Sequence, residues 1–133
     1  GAISTAWPNS GADILFGIGG TPEGVIAAAA LKCMGGDLQG RLWPRNDEER
    51  EAAVGEGYDL SQSLSIDDLV NSDNCFFAAT GITDGDLLQG VRYESNMAHT
   101  ESLVMRSKSG TVRLVNAQHV QDKLNAISDI DYK

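Results

Sequence analysis

An apolar run, Ala12-Asp13-Ile14-Leu15-Phe16-Gly17-Ile18, passes without a break into Gly19-Gly20-Thr21-Pro22-Glu23-Gly24 and an alanine-rich stretch ending at Cys33-Met34-Gly35-Gly36. This order predicts a short buried strand, a glycine corner and a helix over 25–34. Thr21 suits the N-cap and Pro22 the first helical position, where its missing N–H costs nothing, while Gly35-Gly36 closes the far end. A strand that ends in glycines and feeds a helix exposes backbone N–H groups beside a positive helix dipole. That geometry suits an anion such as phosphate, because glycine lets a ligand approach the main chain. The corner is not a Walker A loop, which needs Gly-Lys-Ser/Thr. It also breaks G-x-G-x-x-G: counting from Gly17 puts Pro22 at the last glycine, and counting from Gly19 puts Thr21 at the second.

Glu23 is the informative residue of the corner. An acid in a first helical turn favours the dipole by about 0.3–1 kcal/mol without any ligand. With Thr21 as N-cap, the reciprocal capping position falls on Gly24, so Glu23 is not expected to close a capping box. A carboxylate at a glycine-lined helix mouth repels phosphate unless a cation stands between them. Two readings stay open from these residues: a partner for the dipole, or a metal ligand.

The chain has 133 residues, enough for one modest domain with a real core. No repeat or low-complexity linker divides residues 1–133, so one α/β unit is expected, with an antiparallel portion near its end. The first residue is Gly1 rather than methionine, which reads as a processed, engineered or excised start. No apolar stretch approaches the roughly 20 residues that span a bilayer, and no basic-then-apolar leader opens the chain. Ten Lys+Arg against nineteen Asp+Glu give a net charge of −9. Such a surface repels nucleic acid and anionic lipid, so an anionic substrate must be met by local donors or a metal. Cys33 and Cys75 form no CxxC motif and lie in apolar settings. They read as free core thiols of a cytoplasmic protein rather than a disulfide.

Elsewhere the signals are local. Ala2-Ile3-Ser4-Thr5-Ala6-Trp7-Pro8 reads as helical turns ended by Pro8 and Asn9-Ser10-Gly11. A strand is expected over 39–43. Asn46 with Glu49 has capping-box character and opens a polar helix toward Gly55 or Gly57; Ser65 with Asp68 repeats the device for a helix over 66–70. A buried strand is expected over 75–80, and Thr83 with Asp86 marks a strand-to-helix corner. Strands follow over 91–93, 102–107 and 111–115, with Ser109-Gly110 as a two-residue turn, and the tail from Gln118 is peripheral.

That turn would set Arg106 opposite Arg113 and put Lys108 on the same face, as a site for an acidic partner or phosphate, or simply as a solvated face. Asp84 and Asp86 are a second metal candidate, for which the capping box is the competing account. His99 and His119 have no ligand partner at a recognisable spacing, and Trp7 and Trp43 read as packing residues rather than a sugar platform.

Three long segments, taken together and in order, carry a resemblance. They are Gly17-Ile18-Gly19-Gly20-Thr21-Pro22-Glu23-Gly24-Val25 with Cys33-Met34-Gly35-Gly36, then Ala79-Thr80-Gly81-Ile82-Thr83-Asp84-Gly85-Asp86-Leu87-Leu88-Gln89-Gly90-Val91-Arg92, then Ser102-Leu103-Val104-Met105-Arg106-Ser107-Lys108-Ser109-Gly110-Thr111-Val112-Arg113. Nearly the whole chain resembles the C-terminal half of the class II fructose-1,6-bisphosphatases, with intervening stretches most similar to actinobacterial members. The resemblance implies the C-terminal layers of the sugar-phosphatase sandwich shared with inositol monophosphatases. It implies an enzyme that hydrolyses fructose 1,6-bisphosphate to fructose 6-phosphate and phosphate in gluconeogenesis, with Mg²⁺ or Mn²⁺. By direct match it gives Glu23 a metal-ligating role and Gly20, beside Gly19, a substrate-pocket role. The other metal carboxylates, the water-activating residues and a substrate-binding Asp-Gly-Asp belong to the N-terminal half, a partner this chain would need; no catalytic residue falls in this half, which alone should be inactive. A homo-oligomer is implied. The rivals are sedoheptulose 1,7-bisphosphatase activity and a non-catalytic phosphate-binding module, the latter having no use for the Glu23 carboxylate.

Overall fold

The computed structural model describes residues 1–128, so the last part of the tail from Gln118 lies outside the described residues. The chain opens with a 3-10 turn, Ala2–Ala6, which Asn9 (φ 61°) and Gly11 (φ 73°) end as the turn signals require. Helix α1 spans Thr21–Met34. Its alanines allow close packing: Ala28, Ala30, Leu31 and Cys33 are buried. Gly35 ends it in the left-handed region at φ 75°, and the Gly36 N–H donates to the Leu31 carbonyl at 2.9 Å.

Two short strands, β1 (Gln39–Gly40) and β2 (Leu64–Ser65), pair antiparallel around helix α2 (Asp47–Gly55). Asn46 caps α2, its Oδ1 accepting from the Glu49 N–H at 2.8 Å. The returning bond differs from the expected box, since the Glu49 carboxylate accepts from the Arg45 N–H instead. Helix α3 (Ile66–Leu69) has both legs of its Ser65–Asp68 capping box.

The rest is one antiparallel sheet of β3 (Phe76–Thr80), β4 (Arg92–Glu94), β5 (Met97–Arg106) and β6 (Thr111–Val120). β5 is its spine. Along one edge it pairs β3, from Phe76↔Arg106 to Thr80↔Ser102, and then β4, from Arg92↔His99 to Glu94↔Met97. Along the other it pairs β6 throughout, from Arg106↔Thr111 to Met97↔Val120. α1 packs on the face where Phe77, Leu103 and Met105 point, and Ala30, Cys33 and Leu88 complete the core, with Ile3, Trp7 and Met34 at its margin. Leu103 and Met105 are fully buried, which stabilises by roughly 1.5–3 kcal/mol per side chain. A final helix, α4, spans Gln121–Ile127.

Four expectations fail for definable reasons. Residues 12–18 are extended but form no strand. A strand exists by hydrogen bonding to a neighbour, and none of the described residues runs beside this segment, so Ile14 is 68 % and Phe16 86 % exposed. The strand over 39–43 shrinks to two residues, the length of its partner. β3 is buried on one face only, with Phe77 inward and Phe76 outward. No helix follows Thr83; residues 81–90 instead fold into a closed loop. The Val91 N–H donates to the Ile82 carbonyl at 3.2 Å, and the Asp84 carboxylate accepts from the Gly90 N–H at 2.9 Å.

Candidate functional site

At the start of α1 the N-cap falls one residue earlier than the sequence suggested, and the helix already covers 21–24 ahead of the expected 25–34. Gly20 is the N-cap, with extended backbone and no side-chain cap, so Thr21 and Pro22 are the first two helical residues. Pro22 still falls where a missing N–H leaves nothing unsatisfied. Glu23 thereby becomes the third helical residue, the position from which a carboxylate reaches back over an N-cap. It does so: a Cβ placed on Gly20 would meet Glu23 Oε2 at 2.1 Å. The expectation that Glu23 stands outside the capping position is corrected, and the helix start by itself accounts for the carboxylate's placement.

The surroundings of this corner are open. A Cβ on Gly17, Gly19 or Gly24 would meet no atom within 4 Å. None of the three has a positive φ. Neither packing nor backbone conformation within the described residues therefore demands glycine at these positions. The rim is apolar, with Leu15, Ile18 and Ile26 exposed beside Ile14 and Phe16.

Among the described residues no three His, Cys, Asp or Glu side chains converge as a metal cluster. Glu23 thus offers one oxygen donor group where Mg²⁺ demands near-octahedral coordination, so the described residues do not by themselves make a complete cation site.

The other sequence candidates resolve into structural roles. Asp84 closes the 81–90 loop, and with no helix there the Thr83…Asp86 pair is not a capping box. The turn after β5 holds four residues, 107–110, with Gly110 at φ 58° and its N–H donating to the Ser107 carbonyl. The register therefore moves: Arg106 pairs with Thr111 and Arg113 with Val104, while Lys108 lies in the turn. Arg106 donates through Nε to Asn74 Oδ1 at 2.8 Å and covers the Phe76 ring at 5.2 Å, so an amide and an aromatic face, not an acid, receive it. His119 Nε2 lies 3.1 Å from Thr100 Oγ1. His99 borders a hollow of about 260 Å³ on the sheet, with Arg92, Glu101 and Asn116. Trp7 packs on the core, whereas Trp43 is exposed and stacked under Arg41 at 4.9 Å.

Two features had no signal in the sequence. Lys32 Nζ donates to Asp67 Oδ1 at 2.6 Å and to the Val70 carbonyl at 2.8 Å, tying the last turn of α1 to α3. The bond to Asp67 holds the ammonium above its ordinary pKa. Cys33 and Cys75, 42 positions apart, meet in the core with their sulfurs 3.9 Å apart; both are free thiols.

The profile of the bacterial, glpX-encoded fructose-1,6-bisphosphatases matches residues 1–119. The chain is 42 % identical over 143 aligned positions to the class 2 fructose-1,6-bisphosphatase of Haemophilus influenzae, covering 98 % of this chain and 43 % of the relative. It is 41 % identical over 135 positions to fructose-1,6-bisphosphatase 1 class 2 of Escherichia coli K12, covering 92 % and 40 %. The chain thus spans about two-fifths of the length of the curated relatives it matches.

Proposed function

The chain belongs to the bacterial, glpX-encoded fructose-1,6-bisphosphatases, and on that premise we propose that it supplies the C-terminal layers of a phosphatase acting on fructose 1,6-bisphosphate, giving fructose 6-phosphate and phosphate in gluconeogenesis. The observation that carries this reading is the α1 corner: a carboxylate held over Gly20, at a helix N-terminus, among glycines that nothing nearby requires. Those glycines leave room for a ligand, and the exposed Ile14, Phe16 and Ile18 leave an apolar edge for protein to cover. Residues 12–18 would become an interior strand of the layered sugar-phosphatase sandwich once the remaining part of the enzyme packs against them. Residues 1–133 then form one unit of that larger enzyme, which assembles as a homo-oligomer in the cytoplasm.

In this reading Glu23 contributes one ligand to a divalent cation, Mg²⁺ or Mn²⁺, whose other ligands come from the rest of the enzyme. The cation supplies charge neutralisation on the phosphoryl oxygens and a more acidic water. The chain's own part is positional. Glu23 lies over Gly20 at the helix start, the first-turn N–H groups of α1 face the anion, and Gly19 and Gly20 let the main chain approach the sugar phosphate. No catalytic base or nucleophile is assigned here.

The test is metal-dependent phosphate release from fructose 1,6-bisphosphate by the full-length protein. Glu23→Gln should lower kcat/KM by about 100-fold or more, with a weaker metal dependence. Gly20→Ala should also lower activity while leaving the melting temperature near that of the parent. Its Cβ would displace only the far end of a flexible side chain, because the atom it meets is Glu23 Oε2. Unchanged activity and metal dependence in Glu23→Gln would remove the ligand role. Higher turnover with sedoheptulose 1,7-bisphosphate would move the substrate to the larger sugar. Phosphate binding by the 133-residue chain without metal, untouched by Glu23→Gln, would favour a simple anion-binding module.

A further inference from the structure

We propose that Cys33 and Cys75 are a site of reversible oxidation, closing to an intramolecular disulfide that ties α1 to the start of β3. The two sulfurs already touch at 3.9 Å. A disulfide needs them at about 2.05 Å, so closing the bond asks for roughly 1.9 Å of approach. The other sulfur contacts are weak and long, Cys33 Sγ to the Cys75 carbonyl and Cys75 Sγ to the Ala29 carbonyl, each at 3.8 Å.

The two thiols differ in access, and that sets the order of events. Cys33 is 2 % exposed, in the last turn of α1, while Cys75 is half-buried at the residue before β3. A small-molecule disulfide such as oxidised glutathione reaches Cys75 first. The Cys75 thiolate attacks one sulfur of the oxidant, forming a mixed disulfide and releasing one glutathione thiol. Cys33 then loses its proton and attacks Cys75 Sγ, which breaks the mixed disulfide and releases the second glutathione. Two protein thiols are oxidised, one glutathione disulfide is reduced, and both protons end on the released thiols. Burial, and next the neighbouring Cys75, push the Cys33 thiol up to about 11, which makes the second step the slow one at neutral pH. Packing as small apolar groups would equally place two cysteines in a core, but it predicts no exchange chemistry.

The experiment is oxidation of the full-length protein, under native conditions, with oxidised glutathione, followed by intact mass and non-reducing peptide mapping. The expected product is a monomer lighter by two hydrogens, with the Cys33 and Cys75 peptides joined, and restored by a thiol reductant. Closure from the mixed disulfide should speed up as the pH rises, as the Cys33 thiolate fraction grows. Cys33→Ser should retain a single glutathione on Cys75, and Cys75→Ser should gain none. Stable glutathione adducts on the parent chain, disulfide-linked dimers, or thiols that react only after unfolding would each overturn the proposal. The peptide map of the parent chain decides it even if a serine variant fails to fold.

Discussion

Gly81→Ala should destabilise the chain by about 3 kcal/mol or more, the largest effect expected from adding a single methyl. A Cβ at this position would stand 2.0 Å from the Gln89 carbonyl oxygen and 2.9 Å from its carbon, both backbone atoms that cannot swing aside. The Gly81 N–H meanwhile donates to the Glu101 carbonyl at 3.0 Å, pinning the residue to β5 from the other side. Gly90 is packed in the same way at the opposite end of the loop: a Cβ there would meet Thr83 and Asp84 backbone atoms at 2.7–2.8 Å. The two glycines are the neck of the 81–90 loop, and the loop hangs Leu88 into the core at 7 % exposure. Opening the neck therefore also withdraws a core side chain. Urea unfolding of the parent and variant would read the difference; a loss below about 1 kcal/mol would show that the loop can re-form around the methyl. Gly24→Ala is the matched comparison, since its Cβ meets nothing. There the gain in helix propensity should stabilise by up to about 1 kcal/mol.

Leu103→Ala is the second large effect, with an expected cost of about 2–5 kcal/mol. Leu103 is 0 % exposed, on the central strand, in one cluster with Phe77, Ala30 and Cys33. It is flanked by β3 through Ala79 and by β6 through Leu114, so neighbouring backbone is held by ladder hydrogen bonds and cannot collapse fully into the void. Leu103→Met nearly conserves the volume and should cost less than about 1.5 kcal/mol. Equal losses for the two would indicate that this part of the core is loosely packed. Against the roughly 5–15 kcal/mol typical of a folded domain, the alanine variant removes a large share of the total.

How much of this was legible in the sequence follows from which interactions are local. The α2 and α3 caps were readable because Asn46 and Ser65 bond to groups three residues away. The far end of α1 was readable because Gly35 needs the left-handed conformation. The start of α1 was misplaced by one residue: Thr21 has the right chemistry for a cap, yet the extended Gly20 takes the position. β6 was legible only to Val115. Its continuation through Asn116, Gln118 and His119 is set by pairing to β5, not by its own pattern. The hairpin register slipped because a four-residue turn and a two-residue turn both accommodate Ser109-Gly110. At the site, Glu23 and the glycines stood out from spacing alone. The Cys33–Cys75 meeting did not, because it exists only after α1 has docked on the sheet.

β6 pairs only with β5 among the described residues, leaving an outer side on which about every second residue of the strand presents its main-chain donor and acceptor. Val112, Leu114 and Val115 are partly exposed on that strand, and Arg113 stands between them. Such an edge is a template for adding strands from another molecule. A guanidinium in the middle of it means that any added strand must supply a counter-charge or leave the arginine at a solvated margin. Arg113, paired with Val104 across the hairpin, is thus the kind of charged residue that disfavours edge-to-edge self-association.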